Sequence, residues 1–275
     1  MSGNTGTGVF KDDGPYDTFI NINKIKELHE ITTDPEFVIG GNVTITSAIK
    51  ILEASQVKAH QGVARHLKKI ASHGIRNQGS LAGNLMLKHQ HKDFPSDVFL
   101  SLETVGAVLE VIDHGEIKEL GLVEFLGASM DKSIISKIKI PSLSSVSRKK
   151  TLSALWSNTR LTQSAEWEYI SFKVMPRSSN AHAYVNAGFM ALVDSSDNFR
   201  IVEKPRILFG GISEEFVHAT ATEVFLTGKS MNDHDTFLEA LTILAEEIVP
   251  NEDPVLASAL YRKQLSLCLF YKVEF

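Results

Sequence analysis

The segment Gly79-Ser-Leu-Ala-Gly-Asn84 has the composition of a loop that could hold an anionic group. Its small residues remove side-chain bulk, while Ser80 and Asn84 add a hydroxyl and an amide. Successive backbone N–H groups in such a turn can form a concavity that binds phosphate. The spacing G-x-x-x-G-N matches neither the G-x-G-x-x-G dinucleotide fingerprint nor the P-loop. Taken alone, the segment is therefore consistent with a phosphate loop or with a plain tight turn.

A second glycine-rich segment, Gly3-Asn-Thr-Gly-Thr-Gly8, lies at the start of the sequence. A phosphate loop normally follows a strand that holds it in place, but only Met1 and Ser2 precede this one. We therefore expect either a loop from a domain that begins partway through its fold or a frayed terminus.

Other candidate chemistry has weaker support. His89 and His91 would point to the same side of a strand, but no His-Glu-x-x-His motif accompanies them, so a metal site is not favoured. The sequence has no G-x-S-x-G elbow, which argues against a nucleophilic hydrolase of that type. Lys173 lies in an alternating apolar segment, where a lysine either extends to water or faces an anion.

Composition excludes several classes of protein. The net charge of -5 over 275 residues argues against a nucleic-acid binder. No apolar stretch approaches the roughly 18 residues of a membrane span, and the start does not resemble a signal peptide, so we predict a cytoplasmic protein without a membrane anchor. The single cysteine, Cys268, rules out a disulfide framework or a cysteine-ligated iron–sulfur cluster within this chain.

The surrounding pattern predicts an α+β protein. Thr44 is predicted to cap a helix, a longer helix is predicted from Val57 to Ser72, and Ser96 or Asp97 is predicted to cap another helix that continues to Thr104. Residues 18–22 alternate like a strand, and Asp113-His-Gly115 indicates a hairpin. After a serine-rich and basic stretch at 141–150, strands come first and helices follow, which predicts a sheet with helices on one face.

With these segments assembled, the chain resembles the flavin-binding portion of the molybdo-flavoenzymes, the xanthine dehydrogenase and aldehyde oxidase family. Residues 3–9 resemble the first FAD loop of that family and Ile75–Asn84 its second, while Lys204–Ile212 and His218–Glu223 resemble its C-terminal flavoprotein domain. The stretch from Lys88 to Asp97 resembles insect-type aldehyde oxidases more than it resembles xanthine dehydrogenases.

The resemblance implies a fold and a set of binding residues. It implies an FAD-binding PCMH-type domain of two subdomains at 1–145, lacking the first strand and helix, and a CO dehydrogenase flavoprotein C-terminal-like domain at 146–275. The FAD pyrophosphate would be held by Gly3, Asn4, Thr5, Gly6, Thr7, Ser80, Gly83 and Asn84. The other implied contacts are Ile70, Asp97 (in preference to Asp93), Ile135 and Lys173. Ile70 stands where the family has a bulkier apolar or aromatic residue. No residue of the chain is expected to act as a catalytic acid or base or to bind a metal.

The resemblance also implies a function. The chain would be the FAD-dependent electron-transfer part of an oxidoreductase, receiving electrons from iron–sulfur clusters and passing them to dioxygen or NAD. The 2Fe–2S and molybdopterin groups would lie on other domains or subunits, and the resemblance allows a homodimer. The alternative is a truncated paralogue that keeps the fold, binds no FAD and acts through protein contacts.

Overall fold

The computed structural model describes residues 2–14, 16–34, 36–143, 164–252 and 257–273. The described residues form two units, each built on an antiparallel sheet. The predicted boundary between residues 145 and 146 lies outside the described residues and stays a prediction. The α+β class predicted from the sequence is confirmed.

The first unit is a five-stranded sheet with helices packed against it. Its strands, in the spatial order β1-β2-β5-β3-β4, are β1 (Ile31–Thr32), β2 (Phe37–Gly40), β3 (Val108–Asp113), β4 (Glu116–Gly121) and β5 (Ser133–Ile140). Its helices are α1 (Ile45–Ala54), α2 (Lys58–Leu67), α3 (His73–Arg76), α4 (Leu81–Gln90), α5 (Asp97–Thr104) and α6 (Leu122–Gly127). The predicted hairpin forms between β3 and β4, where His114 and Gly115 both adopt positive φ, as a tight two-residue turn requires.

Several helices of this unit begin at a side chain that accepts a hydrogen bond from the first turn. Thr44 caps α1 by accepting from the Ser47 N–H, as predicted. Ser96 caps α5 by accepting from the Phe99 N–H, which leaves the carboxylate of Asp97 free for other partners. Within the described part of the chain, no helix is both long and apolar enough to cross a bilayer.

The second unit is a sheet covered on both faces. Its strands are β6 (Ala165–Val174), β7 (Val185–Asp194), β8 (Arg200–Ile201), β9 (Arg206–Gly210) and β10 (Val217–His218), in the order β10-β9-β7-β6 with β8 beside β7. Its helices are α7 (Thr220–Leu226), α8 (His234–Glu247) and α9 (Ala259–Tyr271). Val185, Phe189 and Val193 of β7 point into the core formed with these helices, as predicted for one face.

The opposite face of this sheet packs against α2 and α5 of the first unit. Gly188 on β7 lies so close to Thr104 at the end of α5 that a β-carbon there would collide with the threonine side chain. This contact brings the polar residues of β6 and β7 beside the ends of α2 and α5.

Two local predictions were wrong, and the strand geometry considered for His89 and His91 does not occur. Residues 18–22 form no strand. The helix predicted from Val57 to Ser72 ends at Leu67. His89 and His91 do not share a strand, because α4 runs to Gln90; His89 Nε2 lies 2.8 Å from the Ala128 carbonyl and His91 Nε2 lies 2.9 Å from Asp13 Oδ2.

Candidate functional site

A cavity of about 660 Å³ lies beside the helices of the first unit and reaches the end of β6. All of the predicted site residues except Gly3 line it, namely Asn4, Thr5, Gly6, Thr7, Ile70, Ser80, Gly83, Asn84, Asp97, Ile135 and Lys173. Their contacts divide them between a wall built mainly from backbone and a wall built from buried charges.

The first wall, which we call the loop wall, consists of residues 3–8 and 79–84. Thr5–Gly8 form a 3-10 turn, preceded by Gly3 and Asn4 with φ of 58° and 48°. The two segments touch, since a β-carbon on Gly3 would collide with the Gln78 carbonyl and one on Gly79 would lie 3.2 Å from Thr5 Oγ1. Gly3 therefore packs the turn against the Gln78 backbone, although it does not line the cavity itself.

The segment at 79–84 forms the start of helix α4 and not a plain tight turn. Ser80 caps α4: its Oγ accepts from the Gly83 N–H at 3.0 Å, and its carbonyl accepts from the Asn84 N–H at 3.1 Å. The N–H groups of Leu81 and Ala82 are left without an acceptor inside the helix. Together with the helix dipole, they make this end of α4 favourable for an anion.

Asn84 is held by a neighbouring helix cap. Its Oδ1 accepts from the Ser96 hydroxyl at 2.6 Å, and the same Ser96 oxygen accepts from the Phe99 N–H at 3.0 Å. The side-chain oxygen of Asn84 is thereby occupied, and its NH₂ group is available as a donor.

The second wall, which we call the buried-charge wall, is centred on Asp97. Lys173 Nζ lies 2.7 Å from Asp97 Oδ2. Asp97 Oδ1 accepts from Asn186 Nδ2 at 2.9 Å and lies 3.1 Å from His66 Nε2. Burial by itself would raise the pKa of Asp97, but the His66 hydrogen bond, the Lys173 ammonium and the Asn186 amide hold that pKa below its ordinary value. Asp97 is therefore a buried carboxylate.

Comparison with known proteins identifies the family of the chain. Residues 1–143 match the family described as the FAD binding domain in molybdopterin dehydrogenase. The chain belongs to this family of FAD-binding domains. Residues 170–274 match a second family, the CO dehydrogenase flavoprotein C-terminal domain. The resemblance to the flavin-binding portion of the molybdo-flavoenzymes is confirmed, and FAD is the cofactor for which the first family is named. The likeness to insect-type aldehyde oxidases stays a prediction.

Among curated relatives, the chain is 35% identical to abscisic-aldehyde oxidase and 32% identical to an indole-3-acetaldehyde oxidase, both from Arabidopsis thaliana. Each match covers 99% of this chain but only 20% of the relative. The chain thus spans about a fifth of the length of these relatives.

Two solved structures share the fold at low sequence identity. The carbon monoxide dehydrogenase from Hydrogenophaga pseudoflava superposes with a TM-score of 0.77 at 18% identity, over 99% of this chain and 86% of the other. Quinoline 2-oxidoreductase from Pseudomonas putida 86 superposes with a TM-score of 0.74 at 19% identity, with the same coverage of both chains. The predicted combination of an FAD-binding domain with a sheet and helix domain is confirmed.

The structure of this FAD-binding family member also reveals residues at the cavity that the sequence did not indicate. Phe10 stacks on His91 with ring centroids 3.6 Å apart, and Phe94 and His182 pack beside them. Phe10, Phe94 and His182 line the cavity. They come from three distant segments, so no spacing in the sequence could have grouped them. A high density of aromatic and histidine residues between positions 89 and 94 was the only local signal.

Proposed function

We propose that this chain binds FAD in the cavity and serves as the electron-transfer module of a molybdopterin-containing oxidoreductase. Membership of the FAD-binding family supports the cofactor, and the cavity has the two kinds of surface that FAD needs. The observation that carries the proposal is the joining of two anion-favouring segments, the turn at Thr5–Gly8 and the start of α4, into one wall of that cavity.

The residues present fit this cofactor. Backbone N–H groups of the loop wall would hold the diphosphate, where the tight packing behind Gly3 leaves room for no side chain. Ile70 and Ile135, only 8% and 3% exposed, supply apolar surface for a ring system. Lys173 and Asn84 supply donors to acceptor atoms of the ligand.

FAD, when bound, supplies the redox chemistry, while the protein supplies binding, orientation and electrostatics. No acid or base from this chain is needed for that role. We further propose that electrons arrive from iron–sulfur clusters on another domain or subunit and leave for dioxygen or NAD. Substrate oxidation would then occur at the molybdopterin group of a partner, and the assembled enzyme would be a homodimer.

Titration with FAD tests the central part of this proposal. The flavin-stripped chain should quench the fluorescence of added FAD saturably and should stay yellow after gel filtration. Asn84→Ala should weaken FAD binding about tenfold through loss of a positioned donor. Asn232→Ala, at an exposed position away from the cavity, is the matched control and should bind FAD as the parent chain does. A chain that retains no flavin at saturating FAD contradicts the proposal.

A further inference from the structure

His66 lies behind the buried-charge wall and does not line the cavity. Its side chain is completely buried near the C-terminal end of α2. Nε2 lies 3.1 Å from Asp97 Oδ1, and Nδ1 lies 3.0 Å from Ser171 Oγ. Both ring nitrogens are therefore engaged, which fixes the orientation of the ring.

The partners of His66 also determine where its proton sits. Asp97 is ionised and can only accept, so the proton is on Nε2, and Nδ1 accepts from the Ser171 hydroxyl. Burial lowers the pKa of His66, despite the opposing effect of Asp97. The imidazole is thus a neutral donor aimed at one carboxylate oxygen.

That hydrogen bond leaves the other carboxylate oxygen for Lys173. Oδ1 of Asp97 is occupied by His66 and Asn186, and Oδ2 faces Lys173 Nζ at 2.7 Å. Ser171 and Lys173 are alternate residues of β6 and so point to the same side of the sheet. The first unit therefore holds one face of β6 at two points, through the ring of His66 and the carboxylate of Asp97.

The ammonium of Lys173 is held firmly but not completely satisfied. It has three N–H donors; it forms an ion pair with Asp97 at 2.7 Å and donates one hydrogen bond to the Lys69 carbonyl at 3.1 Å. Within the described part of the chain, no other acceptor is within hydrogen-bonding distance of it. Its side chain is 3% exposed and lines the cavity, so the third donor is available to a ligand.

We infer that His66 is a positioning residue for the cofactor: it orients Asp97, which holds the Lys173 ammonium at the cavity wall. The inference rests on the proposed function for the identity of the ligand. The bound flavin must present an acceptor atom to Lys173. It need not contact His66. A cation fixed beside the flavin favours the reduced, more negative form, so His66 affects the reduction potential as well as the affinity.

Two variants of His66 and one matched control test the inference. His66→Leu removes both hydrogen bonds and should weaken FAD binding at least about tenfold and lower the midpoint potential of bound flavin. His66→Gln keeps a donor and an acceptor and should restore most of the FAD affinity and of the midpoint potential. His60→Leu alters another fully buried histidine of α2, which contacts Ser55 and the Pro141 carbonyl, and should change neither quantity.

A double-mutant cycle separates positioning from a loss of packing. If His66 acts through Lys173, His66→Leu should add little to the loss of FAD affinity that Lys173→Met already causes. Full additivity, or parent-like affinity and potential in His66→Leu, would overturn the inference. Should His66→Leu fail to fold, His66→Asn replaces it, because its shorter side chain cannot span from Asp97 to Ser171.

A measurement without flavin keeps the test independent of the proposed function. The ¹⁵Nζ resonance of Lys173, assigned by its loss in Lys173→Met, should move in flavin-free His66→Leu and stay in place in His60→Leu. An unmoved resonance refutes the positioning role even if the chain binds no FAD. Failure of the parent chain to bind FAD, with a moved resonance, refutes the proposed function alone.

Discussion

The two walls of the cavity are built on opposite principles. The loop wall offers backbone N–H groups from a short turn and a helix start, and its side chains are mostly small. The buried-charge wall offers paired charges on side chains that are less than one tenth exposed. Binding at the loop wall depends on the path of the backbone. Binding at the buried-charge wall depends on a network of side chains, each of which is held in place by its hydrogen-bond and ion-pair partners.

This difference predicts different consequences of mutation. A change in the Thr5–Gly8 turn of the loop wall should affect the cofactor and leave the fold nearly intact, because that turn contains no buried residue. A change in the buried-charge wall should affect both, because its members connect α2 and α5 to β6 and β7.

The largest effect is expected from Asp97→Asn. The substitution leaves the Lys173 ammonium buried without its counter-charge, which should lower the free energy of unfolding by about 3–5 kcal/mol. The double variant Asp97→Asn/Lys173→Met should recover part of that loss, as measured by urea unfolding. Glu166→Gln, which breaks an exposed pair with Lys58, is the control and should cost less than about 1 kcal/mol. Equal losses of stability for the two variants would mean that the buried pair contributes no more to the fold than an exposed pair does.

The effect of Asp97→Asn should also depend on pH. Because folding lowers the pKa of Asp97 from its ordinary value of 3.8, the carboxylate stabilises the fold above that pH, and the contribution is lost as the pH falls below it. The difference in unfolding free energy between the parent and Asp97→Asn should therefore be constant near neutrality and shrink below about pH 4. A difference that grows on acidification contradicts the assigned charge state.

The two walls also differ in how far the sequence could predict them. The loop wall is local: Ser80, Gly83 and Asn84 lie within one turn of helix. Their composition alone was consistent with an anion site or with a plain tight turn, and the family resemblance favoured the anion site. The partners of Asp97 are 31 and 89 positions away in the chain, at His66 and Asn186, and only the packing of α2 and α5 on β6 and β7 brings them together. Lys173 and Asp97 were predicted from the family resemblance, but their pairing with each other was not.

The same reasoning applies to the fold. Helix caps at Thr44 and Ser96 and the hairpin at His114 and Gly115 follow from side chains or backbone angles within a few residues, and they were predicted. The covering of one sheet by helices from the other unit has no local signal, because it depends on long-range packing of β7, which is buried on both faces. Residues 18–22 alternate like a strand but belong to neither of the two sheets that the structure describes.

A smaller and more selective effect is expected from Gly3→Ala. Gly3 has a φ of 58°, and a β-carbon there would collide with the Gln78 carbonyl, so the turn should shift away from α4. We expect about tenfold weaker FAD binding, from roughly 1–2 kcal/mol of left-handed strain, with little change in the melting temperature. The control is Gly127→Ala at the end of α6, which does not line the cavity; its added β-carbon meets no atom within 4 Å and its φ is not in the left-handed region. Parent-like FAD affinity in Gly3→Ala would mean that the path of this turn does not determine binding.

The smallest effects should come from Ser80, where stability and affinity can be separated. Ser80→Ala removes the cap on the Gly83 N–H and should cost about 1 kcal/mol of stability. Ser80→Asp keeps a capping oxygen and should preserve stability, but its negative charge faces the site proposed for the diphosphate and should weaken FAD binding more than Ser80→Ala does. Ser258→Asp makes the same change at the cap of α9, away from the cavity, and should leave FAD binding unaltered. Thermal unfolding and FAD titration should therefore rank the two Ser80 variants in opposite orders. The same ranking in both measurements would indicate that FAD affinity at this end of α4 follows the stability of the helix and not the charge at its first turn.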